Sequence, residues 1–99
     1  MRSALSLAML RITENFDGEN TVRLRLDGTI AEASFAQVEE AVMHHLRNRT
    51  IVLDMAGVVF MNNDAAKKIV QLRSEQLRII NCSPFIEILL NASADAPID

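Results

Sequence analysis

Residues 50–72 read Thr50-Ile51-Val52-Leu53-Asp54-Met55-Ala56-Gly57-Val58-Val59-Phe60-Met61-Asn62-Asn63-Asp64-Ala65-Ala66-Lys67-Lys68-Ile69-Val70-Gln71-Leu72, and this stretch decides the fold. Thr50 to Leu53 is β-branched and apolar with no polar alternation, the pattern of a central strand covered on both faces. Asp54 ends it, Gly57 breaks the chain, and Val58 to Met61 forms a further apolar segment. Asn62, Asn63 and Asp64 can each cap a helix, and they stand directly before a helix-forming run. The pattern predicts a short helix over about 64–74, with Ala65, Ile69 and Leu72 facing the core.

Upstream, Val22, Leu24 and Leu26 alternate with Arg23, Arg25 and Asp27, a strand with one buried and one wet face. Leu10 and Ile12 alternate in the same way with Arg11 and Thr13. Residues 14–20, with Asp17-Gly18 at their centre, carry turn chemistry, so the two runs read as a hairpin closed by Asp27-Gly28. Phe35, Val38, Val42 and Leu46 then share one helical face. Ser34 and Gln37 have capping-box spacing, which predicts a first helix over about 35–47.

Downstream, Leu77, Ile79 and Ile80 make a strand that Asn81 closes. Ser83-Pro84 reads as an N-cap followed by proline at the first helical position. Phe85, Ile88 and Leu89 are the expected buried stripe of that helix. The order β-β-α-β-α-β-α implies a single small α/β domain, a mixed four- to five-stranded sheet with helices packed on it. Its expected extent is 1–92, with 93–99 a frayed acidic tail.

Composition narrows the function. The chain has 99 residues, room for one domain, and no Trp or Tyr, so the core is aliphatic with four Phe. A net charge of −3, with the basic residues scattered apart from Lys67-Lys68, argues against nucleic acid as a partner. One cysteine, Cys82, allows no intrachain disulfide and reads as a small core residue rather than a reactive thiol. The opening run Ala4–Leu10 is too short for a signal peptide with its cleavage site, and no stretch reaches the roughly 18 apolar residues of a membrane span. The expected location is cytoplasmic, without stable membrane insertion.

Catalytic signatures are missing. His44-His45 are adjacent, about 100° apart on a helix, and have no ligand spacing, so they read as two half-exposed histidines near a helix C-terminus. No Gly-x-Ser-x-Gly elbow or glycine-rich phosphate loop exists. The expectation is a chain that is not an enzyme and has no metal or cofactor. A stoichiometric transition metal in the purified protein would revive catalysis by His44 or His45.

Three pieces carry a family resemblance: Leu26-Asp27-Gly28-Thr29-Ile30, the run from Ile51 to Met61, and Leu77-Arg78-Ile79-Ile80-Asn81-Cys82-Ser83-Pro84-Phe85. From Val22 to Leu90 the chain resembles the STAS family, the domain of bacterial anti-sigma factor antagonists and of the cytoplasmic regions of sulfate transporters. The resemblance implies a protein-interaction module in signal transduction and transcription regulation. Its implied partner is a protein, such as an anti-sigma factor kinase or another signalling protein; the oligomeric state stays open. Antagonists of the family carry an Asp-Ser-Ser-Gly-like loop after the Phe-hydrophobic pair, with a serine that a partner kinase phosphorylates. Here Asn62 takes the Asp place, Asn63 the first Ser place, Asp64 the phosphorylated place and Ala65 the Gly place. Asp64 cannot be phosphorylated by a serine kinase and either mimics the phosphorylated state or caps the helix. Asn62, Asn63, Asp64, Lys67 and Lys68, with the loop from Gly28 to Ala33, are the expected partner surface. A transport-accessory or ligand-binding role is the alternative that the family implies, and neighbouring transporter genes would favour it.

Overall fold

The computed structural model describes residues 10–94. It contains strands β1 (Leu10–Phe16), β2 (Thr21–Ile30), β3 (Thr50–Met61) and β4 (Leu77–Ile80), and helices α1 (Glu32–Leu46), α2 (Asn63–Leu72) and α3 (Pro84–Ala94). The order is the expected β-β-α-β-α-β-α. The opening run up to residue 9 and the tail from residue 95 lie outside the described residues; Ser93 and Ala94, assigned to the tail from sequence, still belong to α3.

The four strands form one sheet in the order β1-β2-β3-β4. β1 pairs antiparallel with β2, and β2, β3 and β4 run parallel. Two right-handed crossovers that advance in the same direction put their helices on the same side of a sheet. The core follows from that geometry. Val22, Leu24 and Leu26 of β2 and Ile51, Leu53 and Met55 of β3 meet Phe35, Val38 and Val42 of α1, Ala65, Ala66 and Ile69 of α2, and Ile86 and Leu90 of α3. Within the described residues the other face carries no helix, so the expectation that Thr50–Leu53 is covered on both faces fails. Val52 is only half-buried there.

Several boundaries differ for local reasons. β1 continues to Phe16 because residues 14–16 pair with Leu24, Arg23 and Val22, leaving the turn to residues 17–20. β3 runs through Gly57, where a Cβ would strike the Asp27 carboxylate and the Leu26 carbonyl. Gly57 is therefore a close-approach residue rather than a break. Register shifts between Arg25 and Asp27 and between Gly28 and Thr29 bend this part of the β2–β3 ladder. Gly28 adopts φ 115°, a conformation glycine tolerates best.

α1 begins earlier than Ser34. Ala31 is the N-cap and Ser34 sits three residues in, its hydroxyl accepting from the Ala31 amide at 2.9 Å. This is the return half of a capping box, with the residue roles shifted by three. α3 starts as expected, Ser83 Oγ accepting from the Ile86 amide at 3.3 Å, but its buried face is turned. Ile86 and Leu90 are buried, whereas Phe85 and Ile88 are 52% and 69% exposed. Nearly every residue from 85 to 90 is apolar, so periodicity alone does not choose the face.

Candidate functional site

β2 and β3 are parallel neighbours, so both end at the same edge and each hands over to a helix there. The N-termini of α1 and α2 consequently stand side by side. The Asn62 amide donates to the Ile30 carbonyl at 3.2 Å, tying the two hand-over points together. Gly28 to Ala33 and Asn62 to Lys68, paired from sequence as one surface, are brought to this common edge.

The cap of α2 is a single residue. Asn62, in extended conformation, accepts from the Ala65 amide through Oδ1 at 2.8 Å and through its carbonyl from the Ala66 amide at 3.0 Å. The side chain of Asn62 therefore satisfies one of the free first-turn donors, and its carbonyl accepts the first intrahelical bond. Asp64 is the second helical residue, so it does not occupy the cap position. Asn63 and Asp64 are exposed, and their side chains make no hydrogen bond or ion pair among the described residues. Ala65 and Ala66 are fully buried, which anchors this turn against the sheet.

The two lysines separate. Lys67 is exposed one turn after Asn63, whereas Lys68 lies half-buried with Nζ 5.7 Å from the centre of the Phe35 ring. Lys68 helps line a groove of about 300 Å³ between α1 and α2, with Phe35, Glu39, Gln71 and Leu72. The outward surface is thus Asn63, Asp64 and Lys67.

Sequence reasoning missed an apolar neighbour. Phe60, at the end of β3, stacks on Phe85, with ring centroids 6.3 Å apart, and Val59 is 76% exposed beside it. The signal was present in Val59-Phe60, but strand alternation would hide one of the two; the bulged β3 ladder exposes both.

The remaining chemical suspects are engaged in the fold. His45 is 2% exposed, not half-exposed. Its Nε2 lies 2.9 Å from Glu14 Oε2 and its Nδ1 lies 3.4 Å from Arg49 Nη1. These partners suit an imidazole that donates from Nε2 and accepts at Nδ1. Extension of β1 to Phe16 brings Glu14 there, which explains why the residue looked exposed from sequence. His44 is exposed. Among the described residues no group of three His, Cys, Asp or Glu side chains could hold a metal ion.

Asp54 is 4% exposed. It accepts from the Ala56 backbone amide at 3.0 Å and from the Asn81 side-chain Nδ2 at 3.1 Å, and Arg23 Nη1 stands 3.5 Å away. Burial pushes its pKa up, but these two hydrogen bonds with Arg23 and Arg25 outweigh it and hold the carboxyl below its ordinary value. Burial, aided by Glu87, raises the pKa of the Cys82 thiol despite nearby Arg73, and the side chain packs against the core.

The family model described as "STAS domain" matches residues 10–94, and the chain belongs to that family. Among solved structures it is similar to the anti-sigma factor antagonist SpoIIAA in its unphosphorylated form, with 17% identity and a TM-score of 0.67. That match covers 85% of this chain and 81% of SpoIIAA, a likeness of fold. No curated protein sequence matches the chain.

Proposed function

We propose that this STAS domain is a cytoplasmic protein-binding module in signalling, not an enzyme, and that its partner contacts the edge formed by Gly28–Ala33 and Asn62–Lys68. The observation that carries the reading is the division of labour at the start of α2. Asn62 does the capping, and Asn63 and Asp64 face solvent without an intramolecular role. A carboxylate held in the first turn of a helix is favoured by the helix dipole. It presents a permanent negative charge where antagonists of the family acquire one through serine phosphorylation. Control by phosphorylation at this position is therefore replaced by a constant charge, and the partner recognises that charge together with Lys67. The partner is a signalling protein such as an anti-sigma factor, in keeping with the SpoIIAA-like fold.

The test is affinity purification from the native cell, identification of the bound protein by mass spectrometry, and titration of that protein against variants. Asp64→Ala and Lys67→Glu should each weaken binding about tenfold, the loss of one charged hydrogen bond. Equal binding by Asp64→Ala, Asp64→Ser and Lys67→Glu would remove the site assignment.

A further inference from the structure

The face of the sheet opposite the helices has its own chemistry. Strand alternation and register place Arg11, Thr13 and Asn15 of β1, Arg23 and Arg25 of β2, Val52 and Asp54 of β3, and Arg78 and Ile80 of β4 on it. Asn15, Arg23, Val52 and Arg78 form one row across all four strands. Arg23 and Arg78 thus flank an aliphatic side chain. Arg23, Val52, Arg78 and Ile80, with Thr21, Thr50 and Asp17 at the lower rim, line a depression of about 420 Å³.

Every cation on this face is arginine, the side chain whose planar fork matches a carboxylate in two parallel hydrogen bonds. Arg23 is drawn toward Asp54 at 3.5 Å and Arg25 toward Asp27 at 3.2 Å. Arg11 and Arg78 are exposed and have no carboxylate partner among the described residues. Four arginines against Asp17, Asp27 and Asp54 leave the strand face slightly positive, although the chain as a whole carries −3.

We infer that this open face is a second docking surface, and that it takes an acidic segment of another protein with an aliphatic side chain at its centre. The carboxylates of the segment pair with Arg78 and Arg11, and the aliphatic group settles over Val52 and Ile80. Protein fits better than a nucleic acid or an anionic membrane. Asp17, Asp27 and Asp54 alternate with the arginines and would repel a continuous row of phosphates, and the depression holds no aromatic side chain on which a base could stack. The surface lies on the opposite side of the sheet from α2, so it is separate from the Asn62–Lys68 edge.

The experiment is an NMR titration of the isotope-labelled full chain with a short peptide of glutamates around two leucines. Its lysine counterpart, phosphatidylglycerol vesicles and a single-stranded DNA form separate arms. The acidic peptide should move the amides of Arg23, Val52 and Arg78, and the lysine peptide should leave them in place. Combining Arg11→Glu with Arg78→Glu should weaken the response about tenfold or more. Both are exposed, so an otherwise unchanged amide spectrum shows that the variant is folded. Asp64→Ser and Lys67→Glu should leave the response intact, which separates it from the binding edge proposed above. Shifts confined to residues 62–68, an equal response to the lysine peptide, tighter binding of DNA or vesicles, or self-association through this face would each overturn the inference.

Discussion

Leu24, Leu53 and Met55 are shut away from water under the helices, while Arg23 and Arg25, on either side of Leu24 in β2, stand in it. The two faces of the sheet share a backbone and little else. The covered face is aliphatic and joined to every helix, so a change there removes packed volume. The open face is polar, laced with two ion pairs, and carries its charge on side chains that contribute little to stability. A sheet of this kind can vary its outer chemistry with small cost to the fold. Asp54 is the exception, an open-face residue that is buried and fully engaged.

Substitutions on the two faces test that contrast, and the largest effect belongs to the core. Leu53→Ala should cost about 2–5 kcal/mol by chemical denaturation, since it leaves a cavity under the helices. A loss below about 1 kcal/mol would mean that the helix layer is loosely packed. Asp54→Ala comes next, at about 1–3 kcal/mol, because the Ala56 and Asn81 amides and Arg23 lose their acceptor. Its pH dependence has a definite sign. A carboxyl with a lowered folded-state pKa stabilises the protein fully above the ordinary aspartate value of 3.8 and loses that contribution as the pH falls through the lower folded value. The stability gap between the wild type and Asp54→Asn should therefore narrow when urea midpoints at pH 3 and pH 7 are compared. A gap that widens toward acid would show that the buried carboxylate is net destabilising.

Gly57→Ala should cost about 1–3 kcal/mol through overpacking against Asp27 and the Leu26 carbonyl. Adding Asp27→Ala should return part of that loss; a double variant no better than the single one would place the strain in the backbone instead. The smallest effect is expected at Arg78→Glu, within about 0.5 kcal/mol in thermal or urea denaturation. A cost of more than about 1 kcal/mol there would make the open face part of the stabilising structure and dissolve the contrast.

The sequence made the architecture legible because its strongest signals were local. The Val22-Leu24-Leu26 alternation, the Asn62 cap and the Ser83-Pro84 start all depend on neighbours a few residues away. The errors lie where tertiary contacts decide. The length of β1 depends on its pairing with β2, and the burial of His45 depends on Glu14 arriving from that added length. The rotation of α3 could not be read from a run in which nearly every side chain is apolar. At the candidate edge the residues themselves were legible. That Asn62 alone would do the capping, and that Lys68 would turn inward to Phe35, needed the geometry.

The strand order β1-β2-β3-β4 is also the order in which the chain is made. Each strand after the first joins an edge that already exists, and none has to be inserted between two others. The antiparallel hairpin supplies the template from contacts close in sequence, and each parallel strand then closes one helical crossover. Assembly from the N-terminus can therefore keep pace with synthesis, which leaves α3 as the last piece to close the core. Pulse-labelled hydrogen exchange during refolding should show the β1–β2 amides protected before those of β4; protection of β4 first would reverse this sequence of events.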